Sequence, residues 1–165
     1  MSESMDTNEG IASQVITLCR AQNIRIATAE SCTGGLISAA LTAIPGSSDV
    51  VDCGFVTYSN LAKIAMLGVS ETVLTRHGAV SEEVARAMAE GALKRSPASL
   101  AVAVTGIAGP GGGSALKPVG LVHVAVARRD RPTTHERLDF GDLGRSVVRE
   151  RTVSRALELL RNAIV

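Results

Sequence analysis

The sequence predicts an α/β protein: a three-layer α/β/α sandwich around a mixed, mostly parallel sheet with an antiparallel hairpin near the C-terminus. Segments with helical periodicity alternate with short apolar runs, which is typical of parallel strands joined by helices. Two such runs at 121–128 and 134–140 flank Arg129-Asp130-Arg131-Pro132, which predicts the hairpin. The chain has 165 residues, 45% hydrophobic and only 2% aromatic, so we expect one core built from small aliphatic side chains.

The first half of the chain alternates regularly between helix and strand patterns. Apolar spacing predicts a helix over 11–22, and the runs that follow predict strands at 24–29 and 50–58. A helix over 33–43 ends at Pro45-Gly46, and a short helix over 60–67, with Asn60 as its cap, ends at Gly68.

The second half contains the clearest helix start. Ser81, followed by Glu82 and Glu83, has the cap and acidic first turn of a helix that runs to about residue 95. The small apolar run 100–105 is typical of a strand buried on both faces. A Gly/Pro-rich loop over 106–118 precedes the hairpin, and a last helix covers 145–163.

Composition limits the organisation and location of the protein. We expect a disordered polar leader over 1–9, which is no signal peptide, and a single domain over 10–165. No apolar run approaches the roughly 20 residues of a membrane helix, so no membrane partner is expected. Three cysteines without a CxxC pair indicate a reducing, cytoplasmic location and neither a disulfide framework nor a zinc site. A net charge of +1 gives no case for nucleic acid as a partner.

The most informative segment is the predicted turn around Ser31. The apolar run before it stops at small and hydroxylic residues, then resumes at Leu36, which places Ser31 at or just before a helix N-terminus. Unpaired backbone N–H groups there suit an anion, or a serine nucleophile whose intermediate becomes an oxyanion. The alternative is an N-cap serine beside glycines that permit close packing.

Two further segments begin where predicted strands end, namely 58–63 and 105–120. Because ligands bind at the carboxyl ends of strands in open α/β sheets, the three loops are expected to converge on one crevice. Lys63 is the candidate base for Ser31, provided that burial lowers its pKa; the alternative is a solvated helix lysine. Tyr58 is a candidate proton relay or orienting group for Lys63, or a packing residue.

Other candidates are weaker. Cys32 is a rival nucleophile, although a buried thiol behaves as a small apolar group. The three histidines, His77, His123 and His135, lack motif context and are expected to be structural or solvated. The glycine loop could wrap a phosphate, but it has neither a closing Gly-Lys-Ser/Thr nor the G-x-G-x-x-G spacing.

Taken together, these segments closely resemble the C-terminal domain of the CinA family, of the PncC nicotinamide-nucleotide amidase type. The resemblance runs through TAESCTGG (28–35), YSNLAK (58–63), LGV (67–69), HGAVSEEVA (77–85), TGIAGP (105–110), 112–114 and KPVG (117–120). It covers the chain from about residue 10. Many family members also carry an N-terminal molybdopterin-binding-like domain with an attributed pyrophosphatase activity, which we do not expect of this sequence.

The resemblance implies a cytoplasmic amidase of pyridine-nucleotide recycling that converts nicotinamide mononucleotide to nicotinic acid mononucleotide and ammonia, without metal or cofactor. It places the nucleophile at Ser31, with Lys63 and Tyr58 as its activating partners. The residues expected to contact the substrate are Glu30, Cys32, Thr33, Gly34, Thr105, Gly106, Gly109, Gly111, Gly112, Arg145 and Arg149. Relative to the family's Gly-Asp-Arg, segment 141–145 has two inserted residues, and the placement of Arg145 and Arg149 rests on that register.

The expected mechanism is covalent: Lys63 takes the Ser31 proton, and backbone amides of Cys32 and Thr33 hold the oxyanion. Two other hypotheses stay open: a non-catalytic nucleotide-binding or scaffold module, and an amidase for another small amide. The former predicts binding without ammonia release. Self-association into a homo-oligomer is familiar in the family and plausible for an Ala/Val-rich chain.

Overall fold

Five strands form the central sheet of the protein. The structure is a computed structural model that describes residues 7–165. The strands are β1 (Ile26–Glu30), β2 (Val51–Val56), β3 (Leu100–Gly106), β4 (Leu121–Arg128) and β5 (Arg131–Asp139). Their order is β2-β1-β3-β4-β5, with β1 parallel to β2 and β3, and β4 antiparallel to β3 and β5. The predicted mixed sheet with a C-terminal hairpin is confirmed.

Helices cover both faces of this sheet. They are α1 (Asn8–Ala21), α2 (Leu36–Thr42), α3 (Asn60–Leu67), α4 (Glu71–His77), α5 (Glu82–Lys94) and α6 (Arg145–Ile164). One buried cluster joins α1, α2 and α6 to one face, and a second joins α3, α4 and α5 to the other. The three-layer sandwich is therefore confirmed.

The two faces of the sheet carry side chains of different size. In β3, Leu100, Val102 and Val104 point into the α1/α6 cluster, while Ala101 and Ala103 point into the α5 cluster. Strand side chains alternate between faces, so a run of alternating large and small residues makes one thick and one thin layer. All five are fully buried, as the continuous apolar run predicts.

Several predicted boundaries are wrong at helix starts. Helix α1 begins at Asn8, capped by the Thr7 hydroxyl, so its first residues belong to the domain and not to a leader; residues 1–6 lie outside the described chain. Helix α3 is capped by Ser59 rather than Asn60, because the Ser59 hydroxyl accepts from the Ala62 N–H at 3.0 Å.

Helix α4 was not predicted at all. Its seven residues are too few for a clear period, but Ser70 caps its start and Gly78 follows its end. These two signals could have located it.

Strand β5 begins at Arg131 rather than 134, because the hairpin turn is tighter than the polar run 129–132 suggested.

We predict that Gly91→Ala destabilises the fold, because α5 passes very close to the end of α3 at this glycine. A Cβ on Gly91 would lie 2.1 Å from the Leu67 carbonyl oxygen, a main-chain atom that cannot move cheaply. Alanine would gain about 1 kcal/mol of helix propensity, but overpacking of this kind costs about 1–3 kcal/mol and also displaces α3. Urea unfolding should therefore show a net loss of stability.

Gly111→Ala is the matched control, because a Cβ there meets nothing within 4 Å. Its free energy of unfolding should stay near that of the wild type. A Gly91→Ala variant as stable as this control would contradict the close approach.

Candidate functional site

The three predicted loops meet at one edge of the sheet. Strands β1, β2 and β3 are parallel, so their carboxyl ends lie together, and a cleft of about 260 Å³ opens there. The cleft is lined by Ser31, Cys32, Tyr58, Asn60, Lys63, Ala79, Val80, Thr105, Gly106, Ile107, Ala108, Gly109, Gly111, Gly112 and Arg145.

Lys63 lies at the floor of this cleft beside Ser31. Its Nζ is 2.9 Å from Ser31 Oγ, 2.9 Å from the Thr57 carbonyl oxygen and 3.3 Å from the Tyr58 carbonyl oxygen. The side chain is only 1% exposed. In the neutral amine the two N–H groups can serve the two carbonyls, which leaves the lone pair directed at the Ser31 hydroxyl.

Burial also makes this amine easier to deprotonate. Desolvation lowers the pKa of Lys63 from its ordinary value of 10.5, and the nearby Cys32 opposes the shift only as a lesser influence. Within residues 7–165, no carboxylate forms an ion pair with Lys63 to stabilise its charge. The alternative of a solvated helix lysine is therefore wrong.

Cys32 does not compete with Ser31 as a nucleophile at neutral pH. Burial raises the pKa of the Cys32 thiol to about 12, and the Glu30 charge adds to this rise; the backbone N–H of Cys32 and, to a lesser extent, Arg149 and Lys63 only partly oppose it. Because the thiolate is the reactive form, this cysteine stays inert.

The sequence predicted that Ser31 lies at or just before a helix N-terminus, and this prediction is wrong. Residues 31–35 form turns, and α2 begins only at Leu36, after Gly35 with φ +106°. The start of α2 is instead capped by Glu30, whose carboxylate accepts from the backbone N–H groups of Ile37 at 2.9 Å and Ser38 at 3.1 Å. A carboxylate at the end of β1 thus takes the place at the helix start that the sequence pattern predicted for the serine.

Two backbone donors next to Ser31 remain available. Within the described chain, the N–H groups of Cys32 and Thr33 have no oxygen acceptor, whereas the Gly34 N–H donates to the Ser31 carbonyl at 3.0 Å. Of these two residues only Cys32 lines the cleft, so its N–H is the one placed to serve as an oxyanion donor beside Ser31.

Four of the residues expected to contact substrate do not line the cleft: Glu30, Thr33, Gly34 and Arg149. The Thr33 hydroxyl donates to Glu30 Oε1 at 2.6 Å. Arg149 donates from Nε to the Cys32 carbonyl at 3.1 Å and from Nη2 to the Thr33 carbonyl at 3.3 Å. These groups build the turn from behind, so proximity in the motif did not mean contact with the cleft.

Tyr58 and Arg145 meet at the mouth of the cleft. Arg145 donates from Nη2 to the Tyr58 hydroxyl at 2.8 Å and from Nη1 to the Gly109 carbonyl at 2.9 Å. It is the Tyr58 main-chain carbonyl that contacts Lys63, while the 60% exposed phenol pairs with the arginine. The two contacts join α6 to two of the three loops, 58–63 and 105–120, at the opening.

Some residues that line the cleft were not predicted from the sequence. Asn60 lines the cleft, but the sequence pattern predicted it as the cap of α3, a role that Ser59 has instead. Ala79 and Val80 reach the cleft because the Thr105 hydroxyl donates to the Ala79 carbonyl at 2.9 Å. No local signal shows that contact, since it joins residues far apart in the chain.

Other predictions concern groups away from the cleft. His123 Nδ1 and His135 Nε2 are 2.8 Å apart on neighbouring strands, which agrees with a structural role. Among residues 7–165 there is no cluster of three or more His, Cys, Asp or Glu side chains able to hold a metal ion. No helix in this range is long and apolar enough to span a membrane.

Comparison with known proteins gives a consistent family. A family model described as the CinA C-terminal domain matches residues 8–164. A CinA-like protein of Akkermansia muciniphila is 54% identical over 142 residues, and one of Parasynechococcus marenigrum is 50% identical over 161 residues. The matches cover 86% and 96% of this chain but only 34% and 38% of those relatives, so the chain spans little more than a third of their length.

Solved structures give the same result over nearly full chains. The crystal structure of the competence/damage inducible protein CihA from Agrobacterium tumefaciens is 56% identical, with a TM-score of 0.93. The match covers 95% of this chain and 94% of that one. On the strength of the family match, the sequence identity and the shared fold, this chain belongs to the CinA C-terminal domain family.

Proposed function

We propose that the cleft hydrolyses the amide of nicotinamide mononucleotide to nicotinic acid mononucleotide and ammonia. The observation that carries the proposal is the buried Lys63 amine, 2.9 Å from Ser31 Oγ and with a lowered pKa. Burying a cation without a carboxylate partner destabilises a fold, so such a lysine is a mark of catalysis rather than of structure. The substrate follows from the family resemblance of the motifs; the names of the relatives say CinA-like or competence/damage inducible and mention no substrate.

In the proposed acylation step, the neutral Lys63 takes the Ser31 proton as Oγ attacks the carboxamide carbon. The carbonyl electrons move to the oxygen, which the N–H group of Cys32, a residue that lines the cleft beside Ser31, then stabilises. Each such donor typically contributes about 3 kcal/mol to the transition state. When the intermediate collapses, the C–N bond breaks, and the Lys63 ammonium gives its proton to the leaving amide nitrogen as ammonia.

Deacylation repeats these roles with water. Lys63 takes a proton from water, the resulting hydroxide attacks the ester carbon, and the bond to Ser31 Oγ breaks. The proton returns to Ser31, and the carboxylic acid product ionises, which leaves ammonium and the carboxylate at neutral pH. No step requires a group other than these two side chains, the backbone amides and water.

The phosphate of the nucleotide has a matching partner in the cleft wall. Arg145 presents a guanidinium at the opening, where a forked contact with a phosphate can form. Gly111 and Gly112 line the same wall, and backbone amides of such glycine loops are common phosphate ligands. We therefore propose that the reacting amide sits at Ser31 and the phosphate near Arg145.

The direct test is ammonia release by the purified protein with nicotinamide mononucleotide, in parallel with nicotinamide riboside and free nicotinamide. We expect stoichiometric ammonia and nicotinic acid mononucleotide, with the highest kcat/KM for the mononucleotide, because only that substrate offers a phosphate to Arg145. Added chelator should leave the rate unchanged.

A different result would redirect the assignment. Release of ammonia only from another small amide would keep the chemistry and overturn the substrate. Thermal stabilisation by the mononucleotide with no ammonia from any of the amides would favour a non-catalytic nucleotide-binding module.

A further inference from the structure

The turn that carries Ser31 is held from behind by two charged side chains, Glu30 and Arg149. Glu30 is fully buried, and its carboxylate accepts three hydrogen bonds, from the Thr33 hydroxyl and from two amides of the first turn of α2. Arg149, from α6, donates to the carbonyls of Cys32 and Thr33. Neither side chain lines the cleft.

We propose that Glu30 and Arg149 are positioning residues that clamp residues 31–35, so that Ser31 Oγ stays within hydrogen-bond distance of Lys63 Nζ. The inference deepens the proposed amidase function and rests on it for its kinetic consequences. It replaces the expectation that these two residues bind the substrate themselves.

Arg149 fixes the orientation of two consecutive peptide units in the turn, through the carbonyls of Cys32 and Thr33. In a trans peptide the C=O and the following N–H point in opposite directions. Because Arg149 Nε holds the Cys32 carbonyl, the N–H of Thr33 must point away from the arginine. Without that hydrogen bond the Cys32–Thr33 peptide could rotate, and the turn that carries Ser31 would lose its fixed conformation.

The turn needs an external clamp because its own backbone is permissive. Gly34 and Gly35 both have positive φ, at +57° and +106°, in a region that glycine enters and leaves at little cost. Catalysis requires the nucleophile to be held within about 0.5 Å of its productive position. Five hydrogen bonds from Glu30 and Arg149 supply the order that the glycines do not.

The test compares Arg149→Met with Arg151→Met, an exposed arginine two residues along the same helix. We expect Arg149→Met to lower kcat for nicotinamide mononucleotide by about 100-fold, the scale of an ångström-sized misplacement, with KM unchanged. Arg149→Lys, which can still reach one carbonyl, should recover part of the loss, and Arg151→Met should behave as wild type. A rise in KM at normal kcat would overturn the proposal in favour of substrate binding by Arg149.

Amide hydrogen exchange tests the clamp without any assumption about the substrate. Peptides covering 31–38 should exchange faster in Arg149→Met and in Glu30→Gln, whose NH2 group would face one of the N–H donors. They should exchange as in wild type in Arg151→Met. Unchanged exchange in both clamp variants would refute the proposal, whereas absence of ammonia release by the wild type would refute only the amidase function. If Glu30→Gln or Arg149→Met fails to fold, amide exchange is measured in Arg149→Lys instead. Faster exchange of 31–38 in that variant would support a clamping role for Arg149, and unchanged exchange would refute it.

Discussion

Ser31→Ala is expected to reduce ammonia release from nicotinamide mononucleotide by at least about 10³-fold, to near the background rate, because no other activated nucleophile lines the cleft. The neighbouring Cys32 cannot substitute, since burial raises the pKa of its thiol to about 12. Binding should survive, because Arg145 and the glycine loop are untouched. We would measure steady-state kcat together with the thermal shift caused by the nucleotide.

The matched control is Ser48→Ala, an exposed serine that does not line the cleft. It should keep full activity. Rapid quenching of the wild-type reaction should also trap an ester of the nicotinic acid nucleotide on the peptide containing Ser31. An alanine variant with near-normal turnover, or an ester on another residue, would remove Ser31 as the nucleophile.

Lys63→Met is expected to lower kcat by about 10²–10⁴-fold, the usual contribution of a general base. Methionine has a similar length and fills the buried space, but it cannot accept a proton. In the wild type, kcat/KM should rise with pH through the lowered pKa of Lys63, because only the neutral amine activates Ser31. That rise should be missing from the residual activity of the variant.

The same substitution should alter how stability depends on pH. The pKa of Lys63 is lower in the folded protein than the ordinary 10.5, so between the two values the unfolded chain binds more protons. The free energy of unfolding of the wild type should therefore increase as pH rises through this window. At pH values below the folded pKa, Lys63 is charged in the folded protein, and the wild type carries the full free-energy cost of burying that charge. Lys63→Met lacks this contribution.

Thermal unfolding from pH 6 to 10 measures this difference, with the exposed Lys94→Met as control. The melting temperature of the wild type should rise relative to that of Lys63→Met as pH increases, while Lys94→Met should follow the wild type. Parallel curves for the wild type and Lys63→Met would show that the lysine is charged in the folded state at neutral pH.

Local signals in the sequence were sufficient for most of the fold. The small apolar run ending at Thr105 predicted a buried strand, Ser81 predicted the start of α5, and Gly68 marked the end of α3. Each of these features depends on residues within a few positions, through strand alternation, a cap or a left-handed glycine. The sequence also identified Ser31 and Lys63 as candidate reactive residues, because each follows a strand whose end can be located from the apolar pattern.

The sequence by itself therefore determined the layer architecture and which loops carry reactive groups. Only the tertiary structure decided how those groups are used: Lys63 is buried on Ser31, Tyr58 pairs with Arg145, and Arg149 lies behind the turn. The start of α2 was misplaced for a more local reason, since the buried carboxylate of Glu30, outside the helix, accepts from the Ile37 N–H across the intervening turn. Caps and strand patterns arise from neighbours in the chain, whereas hydrogen bonds between residues 32 to 117 positions apart exist only once the helices have packed on the sheet.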